Sequence, residues 1–468
     1  MEKPIEAYTE STPLINQKLG TKEAFYTFLR SFRELAQSPR DIWLLYIYEL
    51  FAYGALCMIV VSLSLYFTKI LGFSDIVAGY IIASFGLSGV ISSLCLGQFI
   101  DRYGIKWSLL LSNLLGFMMF ILLFISNNTV VEILVLFIFC STSFALNIPT
   151  VKLAVKYYTL TTTRSLGYSF LFISFFAGSG LAGIIVDFIL TLFGTEKATF
   201  KIIFIIGACI FVIATTIGLR LRQLDYEDSG ENEVDLSQRN LDGWKHTKEC
   251  MVLKSFWRFF VLALLLVIIK AVYMYIFIVL PIYMYREIGE GAHFGYILAI
   301  NKLIMIISIP SCTILVYYFS HYTLLAIGGF ISSLSFIPLL FGGSYLTVIA
   351  FIVIVSIGES IYSPRLIDYT LQITPKGREG VFLAVAASPI VLSVILAGLM
   401  SGFLLDTYCP ENGDRECWKM WSISGFMTIL VPFFMIIFRS CLEQPENEED
   451  PYMPCMGSTE MNSDDEIN

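Results

Sequence analysis

The stretch "GQFIDRYGIK" (Gly97–Lys106) separates two long apolar runs and decides how the chain is organised. Gly97 lets two neighbouring helices approach closely, because it has no side chain. Asp101 can accept hydrogen bonds from the N-terminus of a neighbouring helix, where negative charge is favoured. Gly104 permits a tight turn, and Arg102 and Lys106 hold that turn on the cytosolic side of a membrane. The stretch therefore predicts a short charged joint between two membrane helices.

The composition is that of a membrane protein. Of the 468 residues, 56% are hydrophobic and 15% are charged, and the mean hydropathy is +0.74. A soluble globular chain carries about 25% charged residues. The acids lie mostly in the tails and the central loop, so nucleic acid is not expected as a partner. The cysteines show no metal-ligand spacing and no glycine loop suits a phosphate, so we expect neither a cofactor nor enzyme activity.

Hydropathy divides the chain into two sets of spans. A membrane helix needs about 20 mostly apolar residues. About twelve runs qualify, and they indicate an all-α membrane protein with two six-helix bundles. The runs are roughly 42–68, 76–100, 106–126, 130–156, 167–193, 201–221, 256–285, 293–319, 322–341, 345–372, 380–405 and 418–440. The predicted domains are a cytosolic tail (1–41), an N-terminal bundle (42–221), a cytosolic linker (222–255), a C-terminal bundle (256–440) and an acidic disordered tail (441–468).

The distribution of basic residues predicts the topology. Lysines and arginines mark the cytosolic side of a membrane protein. They cluster before the first span, after the second and around the turn between the fourth and fifth, where Lys152, Lys156 and Arg164 lie. Both termini are therefore expected in the cytosol. Cys409 and Cys417 fall on the opposite side, where disulfides persist, so they are expected to form a bridge, with two free thiols as the alternative.

The Gly97–Lys106 stretch, set between the second and third of twelve spans, resembles the signature loop of the major facilitator superfamily. The alternative is a generic cytosolic turn that happens to contain glycine and aspartate. The resemblance implies the superfamily's fold of two six-helix bundles. It also implies that Gly97, Asp101, Arg102, Gly104 and Lys106 hold one bundle against the other and gate alternating access.

Three further stretches are similar to the proton-coupled oligopeptide transporter family. They are "YELFAYGALCMIVVSLSLYFTKILGFS" (48–74), "AINKLIMIISIP" (299–310) and "GESIYSPRLIDYTLQITPKGREG" (358–380). This resemblance implies a peptide-like substrate and proton coupling. The chain departs from the family pattern in the first helix, where Glu49 stands alone instead of two acids and an arginine. It also has Ile148 before Pro149, where that family carries a lysine.

Four charged residues inside the predicted spans, Glu49, Lys270, Lys302 and Glu359, are candidates for a functional role. An ionised group at the bilayer centre costs at least ~2.5–3.5 kcal/mol, so such residues normally face the bundle interior. Together with polar neighbours they form the candidate set for substrate and protons: Glu49, Tyr53, Lys270, Tyr273, Asn301, Lys302 and Glu359. Structural alternatives remain open. Glu49 could be a packed neutral acid, Lys270 and Glu359 a buried ion pair that only fixes packing, and Lys302 a side chain that snorkels to the membrane surface.

The sequence thus predicts a secondary active transporter of a small amphoteric or anionic solute, peptide-like or an organic acid. We expect it to be proton-coupled, monomeric and to work by alternating access. A sugar or lipid carrier of the same fold is one alternative, and a non-transporting receptor or assembly subunit is another. In "ESTPLI", Glu10, Leu14 and Ile15 resemble an acidic dileucine sorting signal, although such short patterns also arise by chance. The expected location is the plasma membrane or an endosomal or lysosomal membrane.

Overall fold

The computed structural model describes residues 33–159, 163–222, 254–289, 291–312, 319–373 and 379–443. These residues contain helices and no strand, and twelve helices are long and apolar enough to cross a membrane. The predicted all-α membrane fold is therefore confirmed. The helices, numbered α1 to α12, are Arg40–Leu65, Asp75–Ser93, Arg102–Ile125, Thr129–Tyr158, Arg164–Phe193, Lys197–Gly218, Lys254–Ile278, Phe294–Cys312, His321–Leu334, Tyr345–Ile373, Glu379–Tyr408 and Cys417–Ile437.

Several helices are longer, shorter or less regular than hydropathy indicates. A π-helical turn extends α1 over Tyr66–Ile70, and another interrupts α4 at Leu136–Cys140. The predicted seventh span divides into α7 and a short helix, Leu280–Glu287. Pro281 at the start of that short helix has no N–H to donate to the preceding turn. The ninth span likewise ends in a 3₁₀ segment, Ile337–Phe341.

The two opposite ends of the helical bundle carry different features. We call the end at the turn between α2 and α3 the motif end. Gly104 adopts φ 75° there, a left-handed conformation that other residues rarely adopt, and it breaks the helix that would otherwise run continuously from Asp75 to Ile125. We call the opposite end the disulfide end, because a disulfide joins Cys409 and Cys417 there across a short loop between α11 and α12.

Glycines bring the two halves of the chain together near the disulfide end. A Cβ placed on Gly79 of α2 would lie 2.4 Å from the carbonyl oxygen of Gly398 in α11. A Cβ on Gly295 of α8 would lie 2.2 Å from the carbonyl oxygen of Gly183 in α5. Membrane helices pack this closely where small residues remove the side chains between them. The α2–α11 and α5–α8 contacts thus form two seams that close this end.

The first helix lies at the centre of the packing. α1 is the most buried of the twelve helices, and it contacts α5 through a close approach of Gly54 to Gly178. Most of the predicted tails and of the linker lies outside the described residues, together with Glu10, Leu14 and Ile15. The division of the chain into the predicted domains stays a prediction.

Candidate functional site

Glu49 is a completely buried carboxyl group in the middle of α1. Its exposure is 0%, and neither carboxyl oxygen has a hydrogen-bond partner in the part of the chain that the structure describes. Asn147 of α4 lies beside it, and both polar atoms of that side-chain amide also lack partners. Tyr46, one turn before Glu49, donates its hydroxyl instead to the carbonyl of Gly167, at 2.9 Å. The carboxyl group is therefore held in position mainly by packing, with the Asn147 side chain as a polar neighbour.

Tyr53 and Cys57 continue the stripe of α1 that Glu49 begins, because residues four apart share one helix face. The ring of Tyr53 packs edge-on against Phe175, with a centroid distance of 4.7 Å. Tyr53 is within electrostatic range of Tyr273 on α7, and Cys57 is within range of both Glu49 and Lys302. The stripe therefore faces the charged residues of the second half of the chain.

Lys302 lies on that opposite side, in the interior of α8. Its exposure is 2%, and its Nζ donates a hydrogen bond to the Tyr273 hydroxyl at 2.6 Å. The ammonium also lies 4.7 Å from the ring centroids of both Tyr273 and Phe277, which stabilises a cation in an apolar setting. No acid within the described ranges forms an ion pair with it. The side chain thus points into the protein and not towards a membrane surface.

Lys270 and Glu359 form a buried ion pair between α7 and α10. Lys270 also donates to Ser363 Oγ at 2.9 Å, and its ammonium lies 5.0 Å from the ring centroid of Tyr362. Glu359 Oε2 has no hydrogen-bond partner in the described structure. The pair matches the packing alternative, while the free oxygen leaves one position on the carboxylate open to a ligand or a proton.

Asn301 lies beside this pair and completes the predicted set. It is fully buried in α8, and its Nδ2 donates to Ser356 Oγ on α10 at 2.7 Å. Its Oδ1 accepts no hydrogen bond from the described residues. The structure thus brings Lys270, Asn301 and Glu359 together between α7, α8 and α10. The α1 stripe that holds Glu49 lies within electrostatic range of Tyr273 and Lys302 through Tyr53 and Cys57.

Lys152 belongs to the same region, although basic-residue counting places it at a cytosolic turn. It lies within α4, half-buried, and within electrostatic range of Lys270 in the other half of the chain. Lys152 lies inside α4, as the predicted run 130–156 has it, and less than two turns before that helix ends at Tyr158. Helical spacing could have shown that Lys152 faces the interior, because Phe144, Ile148 and Lys152 share one helix face. Phe144 on that face packs edge-on against Tyr53.

The gating residues are described only in part. Lys106 at the start of α3 donates to the carbonyl of Leu219 at 2.9 Å, tying the motif loop to the end of α6. Arg102 is exposed and lies over the ring of Tyr103. For Asp101 and Gly97 the structure describes the helical backbone, and the Asp101 side chain lies outside the description. Its predicted role stays a prediction.

Polar contacts reinforce the closed disulfide end. Arg286, after α7, donates to Asp75 of α2 at 2.8 Å and to the Cys409 carbonyl at 2.6 Å. Lys69 forms an ion pair with Glu411 in the disulfide loop, and its hydrogen bond holds the pKa of the Glu411 carboxyl below the usual range. His293 lies 3.2 Å from Asp187 across the α5–α8 seam.

The disulfide also bears on metal binding. Glu287, Cys409 and Cys417 lie close enough together to resemble a three-ligand metal site. The two sulfurs are bonded to each other, however, so neither is the thiolate that binds a metal. This cluster is therefore part of the closed end and not a metal centre.

A model of the Major Facilitator Superfamily matches residues 44–398. The chain belongs to the Major Facilitator Superfamily. The predicted membership of this superfamily is therefore confirmed. The buried charges described above thus belong to a member of a family of transporters. No curated protein matches the sequence.

Solved structures share the superfamily fold at low identity. A POT family transporter in complex with 5-aminolevulinic acid is 16% identical, with a TM-score of 0.70, over 87% of this chain and 97% of that one. A mutant of the peptide transporter POT in complex with alafosfalin is 17% identical, with a TM-score of 0.67, over 86% and 95%. A mutant of the nucleoside transporter NupG is 14% identical, with a TM-score of 0.66, over 85% and 100%. The predicted similarity to the POT family is confirmed for the fold.

Proposed function

We propose that this superfamily member is a proton-coupled secondary transporter of a small amphoteric or anionic solute. The observation that carries the proposal is a pair of buried charges without ion-pair partners. Glu49 and Lys302 both lie within electrostatic range of Cys57. Buried ionisable groups in a membrane are costly and are retained where they serve transport. A solute with a carboxylate and an ammonium group would satisfy both.

The basic side of the site selects the anionic group. Lys302 is oriented by Tyr273 and lacks an acid partner, while Lys270 is already neutralised by Glu359. A solute carboxylate next to Lys302 would form a charge-assisted hydrogen bond in a region of low dielectric, where such bonds are strong. Asn301 Oδ1 offers an acceptor nearby for a donor group of the solute.

The acidic side supplies the coupling. Burial disfavours the ionised form of a carboxyl group, while contact with water or with a cation favours it. Glu49 has no hydrogen bond that fixes either form. We propose that Glu49 carries a proton when the site is closed and releases it when the site opens to water or when a solute ammonium approaches.

Alternating access would follow if the disulfide end and the motif end close in turn. The named seams and ion pairs close the disulfide end, so the solute would enter or leave through the motif end in this state. We propose that the motif end and both termini face the cytosol, because basic residues concentrate there. The proposed unit is a monomer in the plasma membrane or an endosomal or lysosomal membrane.

The proposal is tested by flux into liposomes that contain the purified protein. With an imposed pH gradient, we expect accumulation of a dipeptide such as Ala-Ala or of a short organic acid, and we expect an ionophore that collapses the gradient to abolish it. Glucose serves as the neutral comparison. Accumulation of glucose alone would favour the sugar-carrier alternative, and binding without flux of any solute would favour the receptor alternative.

A further inference from the structure

Lys152 presents an unbalanced charge that the proposed function does not use. It lies on the α4 face that carries Phe144, two helical turns closer to the motif end, and it reaches the vicinity of Lys270 on α7. Its backbone is fixed, since the Tyr168 hydroxyl donates to the Lys152 carbonyl at 3.3 Å. None of the described acids forms an ion pair with its ammonium. Two like charges on different halves of the chain therefore lie within electrostatic range of each other.

Lys302 is a second such charge near Lys270. Its partners are the Tyr273 hydroxyl and aromatic rings, none of which carries a negative charge. It is within electrostatic range of Lys270 as well. Lys270 thus lies within electrostatic range of two further lysines, and Glu359 neutralises only one charge of the three.

We infer that the solute carries two anionic groups, one bound by Lys152 next to Lys270 and the other by Lys302. The inference rests on the proposed function and narrows its substrate class to a dicarboxylate or a phosphate ester, with or without an amino group. Like charges across an interface destabilise its closed form. A bound dianion would replace this repulsion with attraction, so that the solute itself favours closure of the two halves around Lys152 and Lys270.

A structural role for these lysines predicts different contacts. Buried charges that only stabilise a fold are paired and hydrogen-bonded, because an unpaired one costs several kcal/mol. Lys270 fits that description, and Lys152 and Lys302 do not. Lys201 lies away from this region, at the disulfide end, where it donates to Asn127 Oδ1 at 3.0 Å. Lys201 is therefore a suitable control lysine.

The test measures binding to the purified full-length protein in detergent by calorimetry and thermal shift. The probes are succinate and butyrate, which share a four-carbon chain but carry two and one carboxylates, and glycerol 3-phosphate, Ala-Ala and glucose. For the unaltered protein we expect succinate or glycerol 3-phosphate to bind at least about 10-fold more tightly than butyrate, because the second anion meets its own lysine.

Substitutions assign the two anion positions. Lys152→Gln and Lys302→Gln should each reduce succinate affinity about 10-fold or more and leave butyrate affinity less affected, whereas Lys201→Gln should change neither. Lys152→Glu adds a separate readout. It places an acid near Lys270, so it should raise the melting temperature of the ligand-free protein and abolish the thermal shift caused by succinate.

The outcomes separate the two proposals. Equal binding of succinate and butyrate, or succinate binding by Lys152→Gln as tight as by Lys201→Gln, would overturn the two-anion site and leave an anion or zwitterion transporter. Binding of glucose but of no acid or dipeptide would overturn the proposed function itself. A preference for succinate over butyrate that disappears in Lys152→Gln and in Lys302→Gln would support the two-anion site and the anionic substrate class on which it rests.

Discussion

At the scale of single residues, two fully buried acids show the difference between structure and function. Glu132 in α4 accepts hydrogen bonds from the Tyr66 hydroxyl at 2.8 Å and from Lys197 Nζ at 3.2 Å. Glu49 accepts none from the described residues, although it is equally buried. Buried polar groups in proteins are nearly always hydrogen-bonded, and exceptions need an explanation. Proton exchange during transport is the explanation that we propose for Glu49.

Glu49→Gln keeps the shape of the side chain and removes its ability to ionise. We expect uptake driven by a pH gradient to be lost, while binding and counterflow exchange of an organic acid without an amino group remain, because neither requires a proton to leave. The measurement is liposome flux with and without an imposed gradient. Glu132→Gln is the matched control. It should lower the melting temperature, since Lys197 loses its partner, and should retain gradient-driven uptake by the folded protein. Gradient-driven accumulation by Glu49→Gln protein would exclude Glu49 from coupling.

Lys270 and Glu359 call for a double substitution, because a single one leaves a buried charge. Lys270→Met should destabilise the protein by roughly 3–5 kcal/mol, the usual cost of breaking a buried ion pair. Adding Glu359→Gln removes the stranded charge and should restore most of the melting temperature. If the pair only fixes packing, the double variant transports normally. We expect it to bind substrate at least about 10-fold more weakly, since Lys270 contributes to the anion site.

At the scale of helices, the glycine seams determine how closely the two halves approach. Gly295→Leu would place a side chain where Gly183 and Asp187 now lie, so α5 and α8 must separate at the disulfide end. We expect slower transport and higher deuterium uptake in both helices near this end. Gly291→Ala, just before α8, is the control, because no atom lies within 4 Å of the added carbon. Unchanged uptake in Gly295→Leu would show that this seam does not hold the end closed.

The sequence predicts the membrane helices well, because each one requires a run of about 20 mostly apolar residues and hydropathy detects such runs. Twelve apolar runs correspond to twelve helices in the described residues, and a clear departure occurs at Pro281, where the predicted seventh span divides in two. Which helix faces meet was not predictable, since the glycine contacts of α2 with α11 join residues about 300 positions apart, and no local pattern encodes that pairing. Lys152 was missed for a related reason. A lysine near a helix end is counted as a cytosolic basic residue whether its side chain faces the cytosol or the protein interior.

At the scale of the whole molecule, the disulfide loop joins the two halves through ion pairs that differ in exposure. Lys69 and Glu411 form an exposed pair, in which the hydrogen bond from Lys69 lowers the pKa of Glu411. A lowered carboxyl pKa means that the contact contributes above the ordinary value of about 4.3 and is lost only as the pH falls through the lowered value. We therefore expect Glu411→Gln to change the melting temperature equally at pH ~7 and at pH ~5. A smaller effect at the lower pH would contradict this assignment.

Arg286 and Asp75 form a buried ion pair at this end. Arg286 connects its own helix, Leu280–Glu287, with α2 and with the end of α11. Its guanidinium binds Asp75 at the start of α2 and the carbonyl of Cys409 at the end of α11, so its own position after α7 is fixed relative to both. The free energy that closes the disulfide end must be small enough to be reversed in each transport cycle. Removing one strong contact should therefore shift the population of closed and open states measurably.

Arg286→Gln leaves Asp75 buried without a cation, so we expect the disulfide end to open. Hydrogen–deuterium exchange should show faster uptake in the segments around residues 70–78 and 286–294. If the two ends alternate, uptake should fall at the motif end around Gly104. Lys419→Gln is the control, because Lys419 pairs with Glu416 three residues away on the surface. Faster exchange at both ends would mean general loosening, and no change at either end would show that the glycine seams alone hold the closed state. Opposite changes at the two ends are the result that alternating access requires, because one rigid rearrangement must open one end as it closes the other.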